Sequence, residues 1–382
     1  MSGSPMTLNV WQKRQATVLY HYTSQAYLQG LKDRLDVLIG DTEITLDTAL
    51  QQGRDQYIAN PRWGWRDTAA NWSTYGFPAL KEWRQSVIHQ IARRAIEVYS
   101  NTGAENCSGM LRNLSMGWTT PEEEKQFEEA FSEVYGYATY IDSLIGPPKN
   151  MTESAFNSYW YGSRTDPSNP GIAHLFPRLP KYVVHMAVEA ETGKKPPRTG
   201  VYVPQDDPLG ALQFCWTGGE TNGSPGKCVT FNDLGRKIIQ AAERDNFWVK
   251  GPELVNAVKQ YAPSEYETFV RNLRGRNFSP SELDNPNMAS RFLRNEGMAL
   301  NSCKWYFVEQ IEGEYDDAVE PVDVPVRPPR TPGGQPCPES GWWFTPAKAG
   351  SRRYFKKGEV MPSFKGSAYG DTFWQWDARQ GQ

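Results

Sequence analysis

The segment PCPESGWWFTPAKAGSRRYFKKGEVMP, residues 336–362, is followed by GDTFWQWD at 370–377. Together they set four tryptophans, Trp342, Trp343, Trp374 and Trp376, among glycines, prolines and lysines. An indole left in water is costly unless something covers it. The runs GWWFTP, RRYFKKGEVMP and DTFWQWD, separated by Gly and Pro, predict three short strands in an antiparallel β meander. Side chains alternate along a strand, so Trp374 and Trp376 share one face across Gln375. Trp342 and Trp343 must point to opposite faces. One of them leaves the core of this module and reaches for the rest of the chain or for a partner. A unit of about 40 residues buries too little surface to be very stable alone.

Ahead of this Trp-rich module (337–382) lies DDAVEPVDVPVRPPRTPGGQP, residues 316–336. Its prolines prevent a helix and disfavour a central strand, which predicts an extended linker. Residues 1–315 read as a mostly helical body. In PALKEWRQSVIHQIARRAIEVYSNTG, residues 78–103, Leu80, Trp83, Val87, Ile91, Ala95 and Val98 recur at helical spacing, with Pro78 at the start and Gly103 just past the end. A second helix begins at TTPEEEKQF: Thr120 is its N-cap, Pro121 fits the first turn, and Glu122 to Glu124 complement the positive helix end. Gly146 and Pro147 stop it. Residues 11–39 predict a third helix, carrying Leu28, Leu31, Leu35 and Leu38.

The pattern changes near residues 198–231, where Val201–Val203, Ala211–Trp216 and Cys228–Phe231 predict a small antiparallel β insertion. Helical patterns return in RKIIQAAERDNFW, PELVNAVKQYA and SEYETFVRNLRG, and Cys303–Ile311 predicts a further strand. The expected class is α+β, mostly α: an N-terminal helical bundle, a β insertion and a C-terminal β meander.

At 382 residues the chain is long enough for two domains, and 38% hydrophobic with 22% charged residues fits a globular protein. Aromatic residues make up 13%, a composition suited to interfaces. A formal net charge of −3 argues against a general nucleic-acid binder. No apolar run reaches the length of a membrane span, and MSGSPMTLNVWQKRQ has no apolar leader region, which places the chain in the cytoplasm and off the membrane. Five widely spaced cysteines do not form a disulfide framework; Cys215 and Cys228 could bridge a hairpin, but a reduced pair fits that compartment better.

Catalytic signals are missing. The four histidines form no HExxH and no zinc spacing with cysteine. There is no nucleophile elbow, phosphate loop or dinucleotide fingerprint. TGGETNGSPGK, residues 217–227, lacks the phosphate-loop order because Lys227 is followed by Cys228. No cofactor or metal is expected. The acids of IEGEYDDAVE, among them Glu312, Glu314, Asp316 and Asp317, carry two readings. They are a solvated edge leading into the linker, or a docking surface for a basic partner that imitates a nucleic-acid backbone.

The segment 337–377 resembles the C-terminal module of immunity proteins of bacterial polymorphic-toxin and type VI secretion systems, nearest the immunity protein 71/72 group. The resemblance is carried by Cys337-Pro338, Ser340-Gly341-Trp342-Trp343, the Arg353…Gly358…Met361-Pro362 stretch and Trp374-Gln375-Trp376. It covers about 40 residues; the body, with GVYVPQDD at 200–207, resembles the group only loosely. The resemblance implies a non-enzymatic protein that binds and neutralises one toxic effector, with a cytoplasm-acting nuclease as the leading target. Tight pairs of this kind rest on a few buried anchors. The candidates are Trp342, Trp343 and Tyr354 with the acids Glu312, Glu314, Asp316 and Asp317. Homodimerisation stays open. The alternatives are an effector adaptor or chaperone of a secretion system and an unrecognised hydrolase.

Overall fold

The computed structural model describes residues 6–58, 67–145, 169, 171–219, 223–242, 251–261, 263–275, 285–316, 331–345, 347–348, 350–364 and 372–376. The chain divides into two compact units, Met1–Asp316 and Asp317–Gln382. As expected, the class is α+β and mostly α.

The first helical stretch is two helices rather than one. Helix α1 (Val10–Thr23) opens on a capping box between Asn9 and Gln12. Ser24 then turns extended, and its hydroxyl accepts the Tyr27 N–H at 3.1 Å, capping α2 (Gln25–Gln51). A serine that can cap both breaks the helix and restarts it. Leu28, Leu31, Leu35, Leu38 and Leu46 line the buried stripe of α2.

After a short α3 (Asp55–Ile58), helix α4 runs from Ala69 to Arg93. It starts well before Pro78, which lies inside it. Two acceptors move the start upstream: Thr68 takes the Asn71 N–H, and the Asp55 carboxylate takes the N–H groups of Ala69 and Ala70 at 2.7 and 3.0 Å. Trp72, Phe77, Leu80, Trp83 and Val87 form its buried stripe. The helix ends at Arg93, a 3-10 turn follows, and Gly103 precedes α5 (Ala104–Leu111) instead of closing α4. Helix α6 (Pro121–Ile145) begins as expected: the Glu123 N–H meets the Thr120 hydroxyl, and the Glu123 carboxylate reaches back to the Thr120 N–H. Gly146 and Pro147 lie outside the described residues.

Strand β1 (Pro180–Glu191), which the sequence pattern did not reveal, pairs antiparallel with β6 (Lys304–Tyr315). On its other side β6 pairs with β2 (Gly200–Pro204), which pairs with β3 (Gln213–Cys215), giving the order β1-β6-β2-β3. One face of this sheet, with Val201, Val203, Phe214, Tyr306 and Val308, joins the helical core. Helix α1 is tied to it by Thr17 and Tyr182, whose hydroxyls are 2.8 Å apart, and by Gln15, which accepts the Leu212 N–H at 2.9 Å. The opposite face carries a separate cluster of Tyr202, Trp305, Phe307, Ala190, Cys215 and Cys228. All five cysteines are free thiols.

Strand β4 (Cys228–Phe231) pairs with β5 (Met298–Asn301) rather than with β3. Around this ribbon sit α7 (Asp233–Ala242), α8 (Gly251–Tyr261), α9 (Pro263–Gly275) and α10 (Pro286–Glu296). The start of α7 is pinned by Asn232, whose side chain accepts the Gly235 N–H at 3.0 Å while its backbone N–H donates to Gly297. A Cβ at Gly235 would lie 2.0 Å from the Gly297 carbonyl oxygen. That atom is backbone and cannot swing away. Gly235→Ala should therefore lower stability by about 3 kcal/mol, at the upper end of overpacking costs. A urea midpoint equal to that of the parent chain would show that the two backbones can separate without loss.

The second unit is a four-stranded antiparallel sheet, not three-stranded. Thr331–Pro332, placed in the linker by the sequence, is strand β7 and pairs with β10 (Phe373–Trp376). Of that linker, 317–330 lies outside the described residues. The order is β7-β10-β8-β9, with β8 at Gly341–Phe344 and β9 at Arg353–Phe355. After β9 the chain runs back beside residues 334–337. Pro336 bridges Val360, the Cys337 N–H donates to Glu359, and the Gly334 N–H donates to Met361.

Candidate functional site

In the second unit the two adjacent tryptophans divide as strand alternation requires. Trp343 is 0% exposed and packs with Cys337, Phe355, Met361 and Trp374. The Phe355 and Trp374 rings meet edge to face with centroids 4.7 Å apart. Both indole N–H groups are satisfied: Trp343 donates to Glu339 at 3.1 Å and Trp374 to Pro362 at 2.8 Å. Trp343 is therefore a core residue, and its placement among the contact candidates is corrected: its side chain cannot be reached without unfolding the module. The position of the Trp376 side chain lies outside the described features.

The outer face carries Trp342 opposite Tyr354, with ring centroids 6.0 Å apart. Phe344 lies two residues along the same strand, and Gln375 is its cross-strand neighbour. Tyr354 is 49% exposed and Phe344 36%. The Arg352 guanidinium sits over the Trp342 ring at 4.3 Å, a cation–π contact. An aromatic strip braced by arginine, on a sheet whose other face is closed, is the composition that dominates binding hot spots.

In the first unit Glu312 and Glu314 lie on β6, within regular structure rather than at the start of a linker. Gly313 between them has φ 73°, a left-handed backbone that favours glycine. Beyond Val308, β6 pairs with β1 alone among the described strands. Two of the acids have cations: Glu314 meets Lys181 at 2.7 Å, and Asp316 meets Lys13 at 2.5 Å. Glu312 forms no ion pair with any described residue. Asp317 lies outside the described residues. The local field is weaker than a run of acids suggests, because lysines from β1 and α1 meet two of the three described acids.

The same ribbon holds a group that sequence spacing could not reveal. His185 on β1 meets Glu309 on β6 at 2.6 Å, and Arg198 approaches the second oxygen of Glu309 at 3.6 Å. Arg198 lies 4.6 Å over the Phe307 ring. Glu309 is brought to the other two by β6, which pairs with β1, where His185 faces Phe307, and with β2, just ahead of which Arg198 lies. A histidine on a carboxylate can orient a proton transfer, and this pair is half-buried. Among the described residues there is no group of three or more metal-ligating side chains. No described helix is long and apolar enough to cross a membrane.

Comparison of the chain with family models, with curated proteins and with solved structures finds no match.

Proposed function

We propose that the protein is an immunity protein, which binds a toxic effector and neutralises it without catalysis. The effector is a nuclease acting in the cytoplasm. The observation that carries this reading is the Trp342–Tyr354–Phe344 strip with Arg352 above it. Its residue types are those of interface anchors, and their neighbours on the inner face are fully committed to the core. The likeness of segment 337–377 to immunity-protein modules supports the same reading. Glu312, which has no ion pair among the described residues, and its paired neighbours Glu314 and Asp316 offer a second contact of negative charge to a basic nuclease surface.

The test is co-expression with the product of the adjacent gene, scored by growth and then by co-purification. Rescue with a stable complex is the expected result. Binding without rescue would make the protein an adaptor. With the complex in hand, Trp342→Ala and Tyr354→Ala should each weaken it by about 2–4 kcal/mol, roughly 30- to 1000-fold in Kd. Unchanged affinity in both variants would move the contact surface off this module.

The hydrolase alternative has one observation in its favour, the His185–Glu309–Arg198 group. Immunity that survives His185→Gln separates the two readings, because a hydrolase built on that histidine would lose its protection.

A further inference from the structure

Three thiols of the first unit gather on the sheet face that looks away from the helical core. Cys215 and Cys228 are buried there with Tyr202, Trp305 and Phe307, and Cys303 packs against the same cluster from a half-buried position. Cys228 opens β4, where it stands opposite Asn301 of β5. Two residues further on, the chain reaches Cys303 at the corner where β5 gives way to β6. Both positions are pinned. The Lys227 carbonyl, just ahead of Cys228, accepts the Gln213 side chain at 2.8 Å. The Cys303 N–H donates to the Thr192 hydroxyl at 3.1 Å, and its carbonyl accepts the Thr192 N–H at 3.2 Å.

The strand register and this corner bring the Cys228 and Cys303 side chains into hydrogen-bond contact. The Cys228 thiol has two acceptors in reach, the Val229 carbonyl at 3.6 Å and the Cys303 sulfur. A thiol that donates to a neighbouring sulfur favours the thiolate there. That contact holds the Cys303 thiol below its usual range, against the opposing effects of burial and of the Asp207 and Asp206 carboxylates. The Asp207 charge is itself shared with Arg236 at 3.5 Å and with the Thr230 hydroxyl. Cys215 differs: burial raises its thiol.

We propose that Cys303 and Cys228 form a peroxide-responsive pair, with Cys303 as the reacting thiol and Cys228 as the one that closes a disulfide with it. The Cys303 thiolate attacks one oxygen of hydrogen peroxide. An S–O bond forms and the O–O bond breaks, and the departing hydroxide takes up the proton the thiol released and leaves as water. The sulfur has then given two electrons to the peroxide and is a sulfenic acid. The Cys228 sulfur attacks it next. The S–S bond forms, the S–O bond breaks, and the hydroxide leaves as water with the Cys228 proton. One peroxide and two thiols give one disulfide and two waters. The bridge closes a loop of roughly 75 residues that contains α7 to α10, and it ties the start of β4 to the β5–β6 corner. The inference does not depend on the immunity reading, since both cysteines lie in the first unit and the aromatic strip in the second.

The experiment uses the full chain, reduced and freed of reductant, then treated with hydrogen peroxide, blocked with N-ethylmaleimide in denaturant and digested. Two of the five thiols should escape the block. The peptides that carry Cys228 and Cys303 should be joined until dithiothreitol separates them. Cys228→Ala should leave Cys303 as a sulfenic acid that dimedone captures, and Cys303→Ser should give no dimedone adduct on Cys228. Where a variant does not fold, the peptide map of the parent chain decides alone. Five free thiols after a treatment that fully oxidises glutathione would overturn the proposal. A bridge between Cys215 and Cys228, a bridge between two chains, or dimedone on Cys228 in Cys303→Ser would overturn it as well.

Discussion

Trp343→Ala is expected to unfold the second unit while leaving the first intact. Trp343 is wholly buried in a cluster that, among the described residues, has five buried members, Cys337, Trp343, Phe355, Met361 and Trp374. Truncating a buried tryptophan costs roughly 3–5 kcal/mol. A module of this size holds little more than that in reserve. Its indole N–H also ties the strand to the Glu339 carbonyl, which would keep only the Cys337 thiol as donor. Limited proteolysis should then cut within 331–376 and leave a resistant N-terminal fragment. The neighbouring Trp342→Ala should resist cleavage like the parent chain, because that ring lies on the outer face. Equal protease resistance of the two variants would show that the alternation of the two tryptophans does not govern stability.

Asp142→Asn should remove a pH-dependent penalty from the first unit. Asp142 sits on α6 and accepts the Thr102 N–H at 2.6 Å and the Thr102 hydroxyl at 2.7 Å, just ahead of α5. Burial dominates over these hydrogen bonds and raises the carboxyl from its ordinary 3.8 to about 6. The folded chain thus holds this proton more tightly than the unfolded one. Below about pH 4 the group is protonated in both states and carries no penalty. As pH rises through 6 the folded state must bury a charge, and stability falls. About two pKa units correspond to a ceiling of about 3 kcal/mol. Other carboxylates run the opposite way: hydrogen bonds from Arg54 hold Glu123 below its ordinary range. The useful quantity is therefore the difference between parent and variant in urea midpoint, measured from pH 4 to pH 7. It should be near zero at pH 4 and favour Asn at pH 7. A constant difference would mean that Thr102 fully compensates the burial.

The helices were legible where periodicity and caps agree. Thr120, Pro121 and the three glutamates announce α6, and its structure follows them. The signal fails where a residue has two uses. Ser24 is an acceptable helix residue and also a good cap, and only its local hydrogen bonds decide in favour of the break. Pro78 looks like a helix start, yet Thr68 and Asp55 supply better acceptors upstream. Strand β1 was hidden because its exposure does not alternate cleanly. Val183 and Met186 are exposed, and three residues between His185 and Glu189 intervene while β6 advances by one. The split of Trp342 from Trp343 could be read from the pleat alone. The order β7-β10-β8-β9 could not, because its outermost strand, Thr331–Pro332, is only two residues long and lies in a proline-rich run. The lysines that meet Glu314 and Asp316 come from β1 and α1, so the charge of the acid run could not be judged from its own neighbours.

The central position of β6 in the first sheet sets a timetable during translation. Its partners β1 and β2 are complete by Pro204, but β6 begins only at Lys304. At about 5–20 residues per second, the ribosome needs roughly 5 to 20 seconds to make the chain between them. The nascent protein spends that interval with helices α1 to α6 already available to collapse, and with a sheet that lacks its middle. Two strand edges then face outward in a crowded cell, where they could recruit a neighbouring chain. The bulge at Met186–Val188 and the charges of Lys181, Glu189 and Glu191 make β1 a poor template for foreign strands. They guard the half-made sheet until its own last strand emerges to fill the gap.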